Sequence, residues 1–143
     1  MKEIKIAQAP VFTSPNPMTF ICSKKADGKT NMATLAFWTY ASTNPGKVVF
    51  SLNKGAYTLE LLAKNKEVVI TIPGISLAGT LIACGTSSGR DPDKVEKFGL
   101  AMQRLDGMVI VIPYTTRLAL VASVCETVDE DDHVRPSGNV TNV

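Results

Sequence analysis

The sequence predicts a mainly β domain with short helices, whose antiparallel strands close or partly close into a barrel. Three observations predict it. Apolar, β-branched runs of strand length recur along the chain, at Met18 to Ser23, Lys47 to Leu52, Glu67 to Ile72, Met108 to Pro113 and Leu118 to Val128. The helical patterns between them are short and never settle into the regular strand–helix alternation of a doubly wound sheet. No Gly-x-Gly-x-x-Gly follows a strand, which disfavours a dinucleotide-binding fold. Closure hides the sheet edges that so many strands would otherwise expose.

Taken in order, Pro10, Pro15 and Pro17 mark an irregular lead-in, because proline lacks an N–H donor and restricts the residue before it. Met18 to Ser23 reads as a strand, and Asp27-Gly28 supplies a tight turn. Asn31 to Ser42, apolar and threonine-rich, reads as a strand or a bulged extended segment. Asn44-Pro45-Gly46 is a turn before the strand Lys47 to Leu52. Thr58 to Lys64 has the spacing of a short amphipathic helix ending at Asn65-Lys66, and Glu67 to Ile72 is a strand closed by Pro73-Gly74. Residues 75 to 83 fit a second helix and Lys94 to Leu100 a third. Two strands follow, at Met108 to Pro113 and Leu118 to Val128. The segment from His133 to Val143 reads as a strand weakened by Pro136 and Gly138.

The 143 residues suit one domain, 1–143, with one core. Hydrophobic residues at 45% and charged residues at 20% argue against disorder. A net charge of +2, without any basic run, argues against nucleic-acid binding. No signal-peptide pattern or run of membrane-spanning length is present, so the expectation is a soluble, cytoplasmic protein that does not engage a membrane. Cys22, Cys84 and Cys125 are widely spaced, which disfavours a disulfide framework. With His133 the sole histidine, no metal site is expected. Cys22 and Cys125 lie in apolar runs and read as core residues. Cys84 reads as a buried residue at a helix end, with a reactive thiol as the sharper alternative.

Three polar blocks carry the chemistry. Cys84-Gly85-Thr86-Ser87-Ser88-Gly89-Arg90-Asp91-Pro92-Asp93-Lys94 is a glycine- and hydroxyl-rich loop able to direct N–H groups, hydroxyls and a cation at one anion. The others are Asn31 to Trp38 and Ser51 to Thr58. Thr58, in the first turn of a helix, can present its hydroxyl beside free N–H groups, or simply cap the helix. Lys94 can act as a point charge or be a solvated surface lysine. Arg90 can meet a phosphate or pair with Asp91 or Asp93 on the surface.

These blocks, in order, resemble the flavin reductase-like family, whose fold is an FMN-binding split β-barrel. The resemblance runs from about Pro10 to Val143. It is carried by Asp27-Gly28-Lys29 with Asn31-Met32, Phe37-Trp38, Asn44-Pro45, Ser51-Leu52-Asn53 and Tyr57-Thr58-Leu59-Glu60. Further along, Ile72-Pro73, Cys84-Gly85, Ser88-Gly89-Arg90-Asp91, Asp93-Lys94 and Asp132-His133 with Gly138 and Val140 continue it. It implies a homodimer that binds FMN near the subunit interface, takes a hydride from NADH or NADPH, and passes electrons to a small-molecule or protein acceptor.

The same resemblance implies residue roles. Thr58, Lys94, Ser87, Ser88, Gly89 and Arg90 belong to the phosphate end. Asn31, with backbone groups of Met32, Ala33 and Thr34, serves the pyrimidine edge or ribityl chain of the flavin. Phe37 forms an apolar wall, where relatives carry Trp, and Trp38 faces the opposite side of a regular strand. Ser51, Leu52 and Asn53 face the cofactor from a strand end, with Tyr57 packing beside them. His133 is the implied catalytic residue, donating to the flavin or stabilising negative charge; by itself it would read as a solvated side chain in an acidic run. Relatives commonly continue past the position of Val143 into a tail that closes over the cofactor, which implies a more open pocket or one closed by a partner subunit. Two rival readings stay open beside the reductase: an FMN-binding electron carrier with little direct NAD(P)H activity, and a cofactor-free structural barrel.

Overall fold

Strict alternation of buried side chains between two cores is the main device of the structure, a computed structural model that describes residues 17–90 and 93–143. Along β1 (Thr19–Lys24), Ile21 points to one core while Phe20 and Cys22 point to the other. Along β6 (Glu67–Pro73), Val68 and Ile70 share the core of Ile21, and Val69 shares that of Phe20. β9 (Thr116–Glu130) repeats the pattern, with Leu120, Ala122 and Val124 on the first side and Val121 on the second. A period of two places successive side chains on opposite faces, so strands covered on both faces must be apolar throughout. That is why these runs are continuous rather than alternating with polar residues.

The strands form one antiparallel sheet in the order β2-β1-β6-β9-β10-β4-β3, with β5 also paired to β10. The remaining members are β2 (Thr30–Leu35), β3 (Trp38–Thr43), β4 (Gly46–Phe50), β5 (Leu52–Asn53) and β10 (His133–Asn142). β2 and β3 end the path at opposite sides yet are consecutive in the chain, separated by Ala36-Phe37 alone. The sheet therefore curls round until its ends meet at a covalent corner, as a barrel that is split there. Its interior holds Ile21, Leu35, Trp38, Val48, Phe50 and Leu120, with Leu62 of α1 (Tyr57–Lys64) at one end. The outer face of β1, β2, β6 and β9 is covered by α2 (Ala78–Gly85), α3 (Lys94–Lys97) and the hairpin of β7 (Met102–Arg104) and β8 (Val111–Pro113).

Most predicted elements are present, with instructive differences. The extended segment from Asn31 is two strands, β2 and β3, because the chain turns a corner at Ala36-Phe37. The strand expected over Lys47 to Leu52 breaks at Ser51, whose N–H donates to Phe37 O at 2.8 Å. The helix predicted over 75 to 83 is a 3₁₀ turn, Ile75–Leu77, followed by α2. The strand expected from Met108 shortens to β8, and α3 stops at Lys97 before Phe98. β7 carries no apolar run and was not anticipated from the sequence. Pro136 is tolerated within β10 because it and Arg135 lie between the stretch paired with β5 and the stretch paired with β4, opposite the Ser51 break.

Cys125, expected in the core, is instead exposed; beyond Val124 the end of β9 extends past the barrel, and the Cys125 thiol donates to Ser137 O at 3.4 Å. Cys22 and Cys84 are buried as expected, and no disulfide forms among the described residues. Pro10, Pro15 and Asp91 lie outside the described residues.

Candidate functional site

A cleft of about 420 Å³ is lined by β2 with the corner after it, by Ser51 and the β5–α1 connection, by the end of α2 and the loop after it, and by Lys94 and His133. Its polar centre is Asn31, buried at the start of β2. The Asn31 side-chain amide donates to Ser23 Oγ at 3.2 Å and to Thr58 Oγ1 at 3.1 Å, which fixes its orientation. Thr58 is in the first turn of α1, and it is buried. It does not cap the helix: Ala56 occupies the cap position, without a side-chain cap bond. In the first turn of α1 the Leu59 N–H donates to Ala56 O at 3.0 Å, whereas the N–H groups of Tyr57 and Thr58 have no intrahelical carbonyl to meet, and the helix dipole is positive at that end.

Lys94 reaches the same cleft from the start of α3. Its side chain is buried rather than solvated, and its ammonium donates to Cys84 O at 2.8 Å. Asp93 places it there by capping α3, accepting from Val95 N at 2.9 Å. Burial lowers the Lys94 pKa below the ordinary lysine range; the neighbouring Cys84 works against that shift and Lys97 reinforces it. Burial pushes the Cys84 thiol up, opposed by the cations of Lys94 and Lys97. Among the described residues the lining contains no Asp or Glu and one lysine, Lys94.

The loop packs closely on this centre. A side chain at Gly89 would place its Cβ 2.2 Å from Asn31 Oδ1 and 3.1 Å from Tyr57 Cδ1, so only glycine allows the approach. Ser87 donates to Ala83 O at 2.9 Å, and Ser88 Oγ accepts from Arg90 N at 3.2 Å; both line the cleft with Tyr57. Ala33, Thr34 and Phe37 follow Asn31 along one wall, and Ser51, Leu52 and Asn53 form another. At the rim, His133 pairs across the sheet with Asn53, its ring 5.9 Å from that of Phe37. Its Nδ1 lies 2.8 Å from Asp132 Oδ1, a hydrogen bond that holds the exposed Asp132 carboxyl below the usual carboxylate range.

All the sequence-predicted site residues line the cleft except Met32 and Arg90. The Met32 side chain is in the outer core with Phe20 and Cys22, because it alternates with Asn31 and Ala33 along β2. Arg90 pairs with Glu60, donates to Gly55 O at 3.1 Å and sits over the Tyr57 ring. Of the carboxylates suggested as its partner by sequence, Asp93 faces Lys29 at 3.5 Å instead, and Asp91 lies outside the described residues. Trp38 turns into the barrel and donates to Pro17 O at 3.0 Å, leaving Phe37 to the cleft. Leu35, Ala36, Gly55, Ala56 and Gly85 also line it. Small and apolar, they carry no chemical signature in sequence; only their adjacency to Asn31, Thr58 and Cys84 marked them.

A family model described as flavin reductase like domain matches residues 11–143. The chain belongs to this family. An uncharacterized protein of Escherichia coli K12, YddH, is 27% identical over 123 residues, covering 85% of this chain; the chain spans 64% of the length of that relative. Among solved structures, flavoredoxin from Methanosarcina acetivorans superposes with a TM-score of 0.83 at 24% identity, over 99% of this chain and 74% of that one. An FMN-binding protein from Thermus thermophilus, with bound 1-cyclohex-2-enone, gives a TM-score of 0.81 at 18% identity, over 99% and 79% of the two chains. The flavin reductase-like chain thus has the split-barrel fold that the sequence predicted. No described helix is long and apolar enough to cross a membrane, and no described cluster of side chains could hold a metal ion.

Proposed function

We propose that the protein is an FMN-binding oxidoreductase that moves a hydride or electrons from NADH or NADPH through bound FMN to a small-molecule or protein acceptor. The observation that carries this reading is the convergence of Asn31, Thr58 and Lys94, from three separate segments, on one cleft with no carboxylate side chain among its described lining residues. A buried ammonium, hydroxyls and helix N–H groups suit a phosphate dianion. The volume is within the range of small-molecule sites, on the order of 300–1,000 Å³. The flavoredoxin and FMN-binding relatives support the same assignment by their fold and family.

Lys94, Thr58, Ser87 and Ser88 would hold the phosphate. Asn31 and the backbone of Ala33 and Thr34 would meet the polar edge of the ring, against the apolar surface of Leu35, Phe37 and Leu52. Bound FMN would supply the capacity to accept a hydride and release electrons singly or in pairs. The chain's own contribution is to bind, orient and shield; His133, at the rim, is placed to donate a hydrogen bond to an incoming donor or acceptor. No protein nucleophile is needed. Two copies of the chain are proposed to form the working unit.

The rival electron-carrier reading, with little direct NAD(P)H activity, is favoured by one observation: among the described residues Lys94 is the single lysine or arginine in the lining, and it is assigned to the FMN phosphate. Anaerobic mixing of the FMN-loaded protein with NADH or NADPH separates the two. Bleaching of the flavin band near ~450 nm within seconds supports a reductase. A stable band that bleaches only with a low-potential protein donor supports a carrier. Colourless protein that FMN fails to stabilise against heat would overturn both.

A further inference from the structure

Ser23 is a fully buried residue that does not itself line the cleft. It stands directly opposite Asn31 in the β1–β2 register and alternates with Cys22 of the outer core, so it shares a side of the sheet with Ile21 and Asn31. A buried hydroxyl is costly unless it is hydrogen-bonded, and this one accepts from the Asn31 side-chain amide at 3.2 Å. The other amide hydrogen goes to Thr58 Oγ1 at 3.1 Å. Both donors of the Asn31 NH2 group are thereby used inside the protein. Its carbonyl Oδ1 accepts from no described residue, although Asn31 is only 4% exposed, and it lies beside Gly89 in the cleft wall. A carbonyl oxygen meets the Gly89 Cα hydrogen there as a weak hydrogen bond, where an NH2 group would set hydrogen against hydrogen.

The effect of that orientation falls on Thr58. Its oxygen accepts from Asn31, and its hydroxyl proton has no acceptor among the described residues. The proton is left for the ligand, beside the Thr58 N–H that no intrahelical carbonyl meets. Turned over, the Asn31 amide would offer Oδ1 to both hydroxyls and draw the Thr58 proton out of the cleft. Resting on the FMN assignment, we propose that Ser23 is a positioning residue for the phosphate: its bond to Asn31 sets the direction of the Ser23–Asn31–Thr58 chain, so that Thr58 donates its hydroxyl proton to the phosphate. The same direction leaves Asn31 Oδ1 as an acceptor for an N–H or O–H of the flavin. A phosphate dianion only accepts hydrogen bonds, and Thr58 and Lys94 then present it with donors alone.

Fluorescence titration of FMN and riboflavin tests this, the readout being the ratio of the riboflavin Kd to the FMN Kd. T58V, which removes the hydroxyl at nearly constant volume, should lower that ratio about tenfold, and T58S should keep it within about twofold of wild type. S23A should lower it about three- to tenfold, although Ser23 touches no ligand, because the Asn31 amide is then free to turn. In the double variant S23A/T58V the ratio should be no lower than in T58V, since Ser23 acts through the Thr58 proton. A Ser23 that only supports packing would weaken both flavins equally in S23A and leave the ratio unchanged. That result, a further fall in the double variant, or an unchanged ratio in T58V would each overturn the proposal and leave the FMN site standing. S23C keeps the volume with a weaker acceptor and serves if S23A does not fold; about a two- to threefold fall is expected, and an unchanged ratio would refute it equally. Failure of both flavins to bind the wild type would instead refute the FMN reading, and this inference with it.

Discussion

Replacing Lys94 with Met tests the phosphate assignment most directly. Methionine keeps most of the buried stem and removes the ammonium, which among the described residues donates to the neutral Cys84 O alone, at 2.8 Å. A hydrogen bond to a charged group contributes about 1.5–3 kcal/mol, so FMN should bind roughly 10- to 150-fold more weakly. Riboflavin, which lacks the phosphate, should change by less than about twofold. Folding stability should move by no more than about 1 kcal/mol, because losing one hydrogen bond is offset by no longer burying a charge. The pH profile is a second, independent readout. Burial lowers the Lys94 pKa in the free protein, and a bound dianion raises it, so binding is linked to keeping that proton. FMN affinity should therefore be full below the lowered Lys94 pKa and fall as pH rises through it, before ordinary lysines titrate. The variant should show no such alkaline fall. Titration of both ligands by fluorescence quenching from neutral to alkaline pH provides the data. Equal losses for FMN and riboflavin, or a wild-type profile that stays flat, would refute the reasoning.

Other perturbations address other walls. Gly89→Ala forces a Cβ against Asn31 and Tyr57, so it should cost about 1–3 kcal/mol and weaken FMN and riboflavin alike; Gly79→Ala, which meets open space at the start of α2, should leave flavin binding unchanged and raise the melting temperature slightly. Thiol labelling near neutral pH should modify exposed Cys125 quickly and Cys84 slowly, with FMN slowing Cys84 further. Cys22, fully buried with its pKa pushed up to about 12 by burial and then by Cys84, should react only on unfolding. His133→Asn should slow flavin reduction more than it weakens FMN. It should also return the Asp132 carboxyl to its ordinary titration range, followed by NMR; unchanged reduction kinetics would remove His133 from the mechanism.

What could be read in advance follows from which forces act locally. Continuous apolar runs such as Val68-Val69-Ile70 revealed their strands because both faces are buried, and the helix starting near Thr58 revealed itself by spacing. The break at Ser51 and the corner at Phe37 were hidden, since they exist only through a long-range bond between two segments that look extended by themselves. Cys125 misled because its apolar surroundings do not say where β9 leaves the barrel. In the site, Asn31, Thr58 and Lys94 were legible through the order of the family's motifs, since taken singly they also read as a turn residue, a helix cap and a surface lysine. Arg90 was not, because sequence left it open between a phosphate and the nearby Asp91 or Asp93, while its partner Glu60 lies thirty residues away in the chain.

The corner between β2 and β3 has one more consequence. Phe37 and Trp38 are neighbours that the bend sends in opposite directions, one toward ligand and one into the barrel. Deleting Ala36 would move Trp38 to the place of Phe37 and Phe37 to that of Ala36, both on the cleft, and would leave the interior place of Trp38 to Thr39. The length of this hinge therefore sets which aromatic ring the chain presents to its ligand.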